Sequence, residues 1–343
     1  MEGQADRLAD NMNRSDEMAA FLATTDWASA AQVLVAGDAS NRKYTRLTRT
    51  DGTTAIVMDA PPDKGEDVRP FVRIAAYLTD IGLSAPLIYE QDVDRGFLVI
   101  EDLGDDLFAD LMAKDTDCER PLYRAATQAL IQLHNAPALD LPLCDPAWLE
   151  KMNALVFNWY APSTKPGSIA QFNAAFQPLA ALLEQVQKVV ILRDYHAQNL
   201  LWLPDRNGVA AVGQLDFQDA LLGHPAYDLV SILQDARRDV DPTIEAEMID
   251  LYLADTALGR DAFLTAYAIL GAQRNLAILG IFARLCKRDG KPHYVDLIPR
   301  VWGYVQRNLA HPALHSLAAT LDLPEPTPAY LQTLKDACPT SPS

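Results

Sequence analysis

The chain has 343 residues and a formal net charge of −17, from 46 acidic and 29 basic side chains. This acidic surplus excludes a nucleic-acid scaffold, which would need a basic face, and it suits a cationic small molecule. Apolar residues make up 49% of the chain, enough for a sizeable core. We therefore expect a folded enzyme built as two domains or as one two-lobed unit.

The chain's ends and cysteines indicate a cytoplasmic protein. Residues 1–18 are polar and acidic and lack the apolar run of a secretory signal, and no later segment is expected to span a bilayer. The cysteines form no CxxC pair, which predicts reduced thiols and no cysteine-based metal site. They are Cys118, Cys144, Cys286 and Cys338.

The first hundred residues predict short strands around one packed helix. Asp51-Gly52 marks a hairpin between two strands, because this dipeptide favours a tight turn. The apolar residues of 71–78 recur at helical spacing, and Gly82 can end that helix. A small antiparallel sheet is expected. A helix is predicted at 17–27, and strands are predicted at Gln32–Ala36, Lys43–Thr48, Thr53–Asp59, Pro86–Glu90 and Gly96–Ile100.

The remainder of the chain is predicted to be mainly helical, interrupted by one island of short strands. The fold class is therefore α+β, with a sheet-bearing N-lobe at 1–100, a hinge at 101–106 and a helical C-lobe at 107–325. A partly disordered tail is expected at 326–343. Helices are predicted near 119–136, 147–160, 169–187, 225–237, 243–256, 260–286 and 293–310, and the island strands at 189–192, 200–203 and 209–215.

The island of strands carries the chemistry. Asp194 is followed five residues later by Asn199, and Asp216-Phe217 lies on the next hairpin. This order and spacing are typical of a kinase catalytic loop and its metal-binding turn. Asp194 would accept the proton of an acceptor hydroxyl, while Asn199 and Asp216 would offer hard oxygen atoms to Mg²⁺. The three side chains are expected to converge on one cleft.

Two polar residues near this loop are expected to be structural. His196 could ligate a metal, but a hydrogen bond from its ring to a neighbouring backbone group is favoured. Asp228 follows a His-Pro dipeptide at the start of a helix, where it could cap the helix or brace the catalytic loop.

Taken together, these motifs resemble the aminoglycoside phosphotransferase and choline kinase superfamily, which has a protein-kinase-like two-lobed fold. Within it, the chain is most similar to bacterial kinases that phosphorylate the anomeric hydroxyl of N-acetylmuramate and N-acetylglucosamine in cell-wall recycling. That likeness rests on four segments, which are Gly37–Tyr44, Met58–Pro62, Arg193–Leu200 and Gly280–Leu285.

The resemblance implies where ATP binds. The backbone amides of Gly37, Asp38 and Ala39 and the hydroxyl of Ser40 would cover the phosphates. The hinge backbone at Glu101 and Leu103 would meet the adenine. An ordinary hairpin turn remains the alternative for Gly37-Asp38.

One expected phosphate ligand is missing from the sequence. The β3 lysine of kinases should fall near Met58, and the sugar-kinase relatives share this methionine. Arg42 or Lys43 could supply the cation instead. Because Leu192 replaces the histidine of protein kinases and no Ala-Pro-Glu element follows, a protein kinase is not expected.

Residues 273–291 stand out as basic in this acidic chain. Arg284 lies in an apolar run of this stretch and could bind the carboxylate of a muramate bidentately. Lys287 and Lys291 are expected on a solvated face. Trp159 could stack on a sugar, although core packing is favoured for it, and Asp219 is a further candidate substrate ligand.

The predicted function is therefore ATP- and Mg²⁺-dependent phosphorylation of a sugar hydroxyl by a cytoplasmic enzyme. Its partner would be a small sugar, with no nucleic acid or membrane, and a monomer is favoured. A kinase for aminoglycosides, choline or another amine or alcohol is the alternative enzyme. A silent pseudokinase that only binds ligands is the third reading, motivated by Met58 and opposed by the complete Asp194, Asn199 and Asp216 set.

Overall fold

The structure is a computed structural model that describes residues 14–35, 41–162 and 167–339. Its backbone contacts divide the chain into two compact units, Met1–Leu107 with Leu200–Asp219 and Phe108–Asn199 with Ala220–Ser343. The first break follows the predicted hinge by one residue. Residues 200–219 group with the first unit, whereas the sequence prediction assigns them to the C-lobe.

The first unit contains a five-stranded antiparallel sheet in the order β1-β2-β3-β5-β4. Tight turns set its register: at the β2–β3 hairpin the amide of Thr53 donates to Asp51, and Gly52 adopts a φ of +87°. The apolar face of the sheet packs against helix α1, residues 14–22. The strands are β1 Ala31–Leu34, β2 Lys43–Thr48, β3 Thr54–Asp59, β4 Ile88–Asp92 and β5 Phe97–Glu101.

Helix α2, Arg69–Asp80, buries the predicted apolar stripe. It ends as expected, because Gly82 has a φ of +82° and the Leu83 amide donates to the Leu78 carbonyl. The left-handed conformation at Gly82 satisfies carbonyl groups of the last turn, so this glycine defines the helix end.

The β7–β8 hairpin joins the first unit through contacts that are distant in sequence. Its strands are Leu200–Trp202 and Val212–Gln214. The Trp202 amide donates to the Asp106 carbonyl at 2.8 Å, and the Gln214 amide donates to the Ser84 carbonyl at 2.8 Å. These bonds explain why a segment predicted in the C-lobe groups with the sheet.

The second unit is helical, with one small strand pair, β6 Val189–Ile191 and β9 Leu221–Gly223. The predicted 147–160 helix is observed as helix α5 followed by a π-helical turn, Val156–Tyr160. The α-helices are α3 Phe108–Lys114, α4 Glu119–Asn135, α5 Pro146–Leu155, α6 Ser168–Leu183, α7 Ala226–Leu233, α8 Pro242–Ala254, α9 Arg260–Lys287, α10 Ile298–Leu309, α11 His315–Ala318 and α12 Pro328–Asp336.

Helix α9 forms the centre of the second unit. A side chain at Gly280 would place its Cβ 2.3 Å from the Leu155 carbonyl carbon, so glycine lets α5 and α9 approach closely here. Among the described residues, α9 alone is long and apolar enough to cross a membrane, and 83% of its apolar window is buried inside the protein. By length and composition α9 is an exception to the expectation that no later segment could span a bilayer, but its burial is typical of a core helix.

Four features of the second unit were not predicted from the sequence. Helix α3 and strand β9 were not predicted, because both are short and lack clear periodicity. Helix α12 lies within the tail for which disorder was expected. Cys286 and Cys338 form a disulfide, which corrects the prediction of reduced thiols, because a pairing across 52 residues has no local signal. Cys118 and Cys144 are free.

Candidate active site

The predicted catalytic base lies on a tightly held loop of the second unit. Arg193, just before Asp194, has a φ of +70°, which is uncommon for a non-glycine residue. Such backbone strain costs roughly 1–3 kcal/mol and persists only where neighbouring groups enforce it. The Asp194 side chain itself is 45% exposed, so a substrate can reach it.

Asp228 supplies the first restraint on this loop. Its two carboxylate oxygens accept the amides of Leu192 at 2.6 Å and Arg193 at 2.9 Å, so it braces the loop as the sequence suggested. Burial raises the pKa of Asp228 to about 7, and the two amides and the Arg274 guanidinium oppose this rise. Burial thus favours the protonated form of Asp228, whereas the two amides favour the carboxylate.

Ser231 and Arg274 bind the carbonyl of Arg193, the residue whose amide is bound by Asp228. The Ser231 hydroxyl donates to the Arg193 carbonyl at 3.1 Å, and the Arg274 Nη2 donates to that carbonyl at 3.2 Å and to Ser231 Oγ at 2.6 Å. Arg274 Nη2 also lies 4.0 Å from Asp194 Oδ1. Both the amide and the carbonyl of Arg193 are thus fixed by side chains from α7 and α9.

Asn199 closes the loop from within. Its Nδ2 donates to the Asp194 carbonyl at 2.9 Å, which orients the amide group. His196 is buried, its Nε2 lies 3.5 Å from Asn199 Nδ2, and burial lowers the pKa of His196 to about 3, helped by the Arg237 and Arg274 guanidiniums. The imidazole is therefore a neutral structural group at physiological pH.

Asp216, the predicted metal-binding carboxylate, lies in the first unit. It has a φ of +56°, and with Arg193 it is one of two non-glycine residues with positive φ in the described ranges. The Gln218 amide donates to Asp216 Oδ1 at 2.7 Å, and the ring of buried Phe217 lies 4.8 Å from that of Phe71 on α2. Packing of Phe217 therefore fixes the turn that carries the carboxylate.

The predicted hinge residues are also in the first unit. The Glu101 carboxylate pairs with Arg206, and its backbone amide donates to the Leu87 carbonyl at 2.7 Å. Asp102 binds Arg46 through both oxygens at 2.7 and 3.0 Å. Leu103 is half-buried, and a Cβ on Gly213 would lie 3.2 Å from its Cδ1, so the hinge rests against the β7–β8 hairpin.

The structure describes only some of the predicted phosphate ligands. Gly37, Asp38, Ala39 and Ser40 lie outside the described residues. Arg42 Nε bonds Glu66 Oε2 at 2.8 Å. Glu66, along with Tyr44, raises the Arg42 pKa against the opposing effect of burial.

Neighbouring positions in the sheet differ in their exposure. Met58 on β3 is fully buried opposite Tyr44, so the strand carries an apolar side chain where a kinase lysine would stand. Lys43 begins β2 and is exposed.

Arg284, the substrate residue predicted on α9, lies near the C-terminal end of that helix, whereas Arg274 makes its loop contacts from the middle of the helix. Arg284 is ten residues beyond Arg274, which is about 15 Å along a helix. Its Nε is buried, and burial lowers its pKa, with Arg288 acting in the same direction. Arg284 is thus poorly placed to reach a group bound beside Asp194, and its role stays a prediction.

Two further predictions concern residues near Arg284. Trp159 is half-buried in the π-helical turn, and its carbonyl accepts Lys287 Nζ at 2.8 Å. The expectation of a solvated Lys287 is wrong, because burial lowers its pKa and this hydrogen bond engages it. Asp219 is exposed at the end of its turn in the first unit.

Arg274 is the residue that sequence reasoning missed. In the sequence it is only one charge of the basic stretch 273–291, because nothing there links it to a loop 80 residues earlier. A weak signal existed, since an arginine inside the apolar helix 260–286 must find a partner when buried.

Comparisons with known proteins identify the family of the chain. Residues 31–264 match the family described as phosphotransferase enzyme family. The chain is 41% identical to an N-acetylmuramate/N-acetylglucosamine kinase of Caulobacter vibrioides, covering 90% of this chain and 96% of that protein.

Two solved structures share the fold. A choline/ethanolamine kinase family protein from Mesorhizobium loti matches with a TM-score of 0.62 and 13% identity over 90% of this chain and 98% of its own. An ADP-bound aminoglycoside phosphotransferase matches with a TM-score of 0.59 and 14% identity over 86% and 96%. These two structures confirm the protein-kinase-like fold, while the family match and the 41% identical relative confirm the predicted superfamily and the small-molecule kinase class.

Proposed function

Because the chain belongs to the phosphotransferase enzyme family, we propose that it transfers the γ-phosphate of ATP to a hydroxyl of an amino sugar. The acceptor we propose is the anomeric hydroxyl of N-acetylmuramate or N-acetylglucosamine. The observation that carries this choice is the 41% identity to a kinase of that name over 90% of the chain. The likeness to choline and aminoglycoside kinases is a likeness of fold alone.

Asp194 acts as the general base in this proposal. Its carboxylate is accessible and is presented by a backbone that Asp228, Ser231 and Arg274 hold. An anomeric hydroxyl is more acidic than an ordinary alcohol, so a carboxylate of normal basicity suffices. General base catalysis of this kind contributes roughly 10²–10⁴-fold to the rate.

Asn199 and Asp216 fit a magnesium ion by the chemistry of their side chains. A neutral amide oxygen and a carboxylate are the hard oxygen ligands that Mg²⁺ prefers. Asn199 is oriented by its hydrogen bond to the Asp194 carbonyl. Asp216 has a positive φ, and its carboxylate accepts a hydrogen bond from Gln218. When bound, Mg²⁺ would offset the charge of the ATP phosphates. The convergence of these residues on one nucleotide stays a prediction.

The remaining assignments are part of the same proposal. Residues 37–40 cover the phosphates, and the backbone at Glu101 and Leu103 meets the adenine. A cytoplasmic monomer that binds no nucleic acid or membrane is proposed. The acidic net charge of −17 is the observation that favours a cationic acceptor, such as choline or an aminoglycoside, as the second candidate.

A coupled ADP-release screen tests the acceptor. The panel contains N-acetylmuramate, N-acetylglucosamine, glucose, choline and an aminoglycoside, each with ATP and Mg²⁺, and a reaction without acceptor as the blank. We expect turnover above the blank with the two N-acetylated sugars. Turnover with choline or the aminoglycoside alone would replace the sugar assignment with the second candidate. Nucleotide binding without turnover of any acceptor would support a pseudokinase.

A further inference from the structure

Arg274 of α9 is largely buried beside the proposed catalytic base, although it takes no chemical part in the proposed reaction. Its side chain is 11% exposed, and Nη2 makes two hydrogen bonds, to the Arg193 carbonyl and to Ser231 Oγ. Its Nε is also buried and lacks a partner among the residues that the structure describes. Burying a guanidinium is costly, so a residue kept in this position must supply a compensating interaction.

We propose that Arg274 is a positioning residue for Asp194, an inference that rests on the proposed role of Asp194 as the base. Arg274 fixes the Arg193 carbonyl, and thereby the strained backbone that presents the next residue. Its positive charge, 4.0 Å from Asp194 Oδ1, also draws the carboxylate toward one orientation. A base misplaced by about 1 Å can cost 10²-fold in rate, so such restraint has a measurable effect.

Three side chains together clamp the backbone of Arg193, and this clamp makes the positioning role of Arg274 specific. Asp228 accepts the Arg193 amide, while Ser231 and Arg274 bind its carbonyl. With both ends of the residue held, its φ of +70° cannot relax to a more common value. Removal of Arg274 weakens the restraint on the carbonyl, because Ser231 alone would then hold it.

Direct binding of the acceptor by Arg274 is the competing explanation. Arginine binds carboxylates and phosphates through a pair of N–H groups that must be accessible. In Arg274, Nη2 is engaged by protein groups and Nε is buried, so this paired edge is not presented to solvent. The contacts favour an action through the loop.

The test is a double-mutant cycle between Arg274→Met and Asp194→Asn. We expect Arg274→Met to lower kcat by about 10–100-fold, the effect of a misplaced base, with KM for ATP and sugar within about threefold of wild type. In the Asp194→Asn background the same substitution should cost less than about twofold, because residues that act as a unit are not additive. Equal losses in both backgrounds, or a raised sugar KM at unchanged kcat, would overturn the proposal.

Conservative and control variants separate positioning from general damage. Arg274→Lys keeps the positive charge but loses the planar guanidinium. Its kcat should therefore be about tenfold higher than that of Arg274→Met. Arg307→Met removes another arginine ion pair, in which Arg307 on α10 lies 2.7 Å from Glu245 on α8, and it should leave kcat unchanged. If Arg307→Met lowers kcat as much as Arg274→Met, the effect is not specific to the loop and the proposal fails.

A second route avoids dependence on one variant. If Arg274→Met does not fold, Ser231→Ala removes the hydroxyl that bridges Arg274 and the Arg193 carbonyl, and it should lower kcat about threefold in the Asp194 enzyme only. No change in kcat would count against the clamp. The wild-type acceptor screen comes first, and the cycle uses whichever acceptor is turned over. Failure of the sugar assignment is therefore distinct from failure of the Arg274 role.

Discussion

The catalytic loop of the second unit and the β2–β3 hairpin of the first unit carry two charged parts of the proposed site, and they are built differently. In the loop, a strained backbone is held by Asp228, Ser231 and Arg274, which lie 35 or more residues away in sequence. In the hairpin, Met58 is buried in the strand, and the nearby cation, Arg42, is paired with Glu66 at the strand's entrance.

This difference predicts which kinetic constant a substitution in each region should change. The loop places one carboxylate precisely and depends on several buried contacts, so substitutions there should act on kcat. The hairpin offers charge to a polyphosphate, which needs electrostatic attraction more than exact geometry. Substitutions there should act on the affinity for ATP.

The largest effect is expected at the centre of the loop. Asp194→Asn keeps the size of the side chain but cannot accept a proton, so kcat should fall by roughly 10²–10⁴-fold. Initial rates of ADP release and the melting temperature measure activity and folding together. Asp250 is an exposed acid on α8 that pairs with Arg260 of α9, so Asp250→Asn is the matched control and should retain full kcat. Near-wild-type turnover of Asp194→Asn would remove this residue from the mechanism.

The C-terminal disulfide is a covalent restraint in the second unit, and its effect on stability can be measured. Cys286 and Cys338 close a loop across 52 residues, and α12 lies within that loop. Such a bond typically adds about 2–4 kcal/mol to stability. Without reductant, Cys338→Ser should therefore unfold at lower urea than wild type, and the difference should vanish in reductant.

Cys118→Ser is the control for this disulfide experiment. Cys118 is a free, half-buried cysteine, so its replacement should leave the urea midpoint unchanged with and without reductant. A wild-type midpoint that does not respond to reductant would mean that the two thiols remain reduced in solution.

A smaller effect is expected at Asp228, the residue that braces the loop amides. Asp228→Asn keeps one acceptor but turns an N–H toward a backbone amide, so kcat should fall by about tenfold, in line with the cost of one unpaired buried donor. Because its pKa is raised to about 7, wild-type kcat should also decline as the pH falls below 7 and one oxygen becomes protonated. A pH–rate profile measures this, and Asp228→Asn should flatten the decline near pH 7.

These contacts show how far the sequence could lead. Asp194, Asn199 and Asp216 were predicted because a catalytic motif occupies a short, ordered stretch with fixed spacing. The strands and helices followed from hydrophobic periodicity and turn residues such as Gly52 and Gly82. Arg274 and the Cys286–Cys338 bond were not predicted, because both depend on which distant segments pack together, and one sequence does not encode that locally.

The smallest effect is expected in the hairpin. If Arg42 supplies the cation that Met58 lacks, Arg42→Ala should raise KM for ATP by about three- to tenfold, the loss of one partly screened charge contact, with kcat little changed. Glu66 holds the Arg42 guanidinium at 2.8 Å and accepts the Asn41 amide at 3.2 Å, in the way that an acidic residue orients the kinase lysine.

Glu66→Gln and Lys43→Ala complete this comparison. Glu66→Gln removes the charge that holds Arg42 and should raise KM for ATP by less than Arg42→Ala, about twofold. Lys43→Ala separates the two candidate cations, since Lys43 is exposed at the start of β2. If neither Arg42→Ala nor Lys43→Ala changes KM for ATP, the missing lysine has no replacement in this hairpin. The phosphates would then be held by residues 37–40 and the metal.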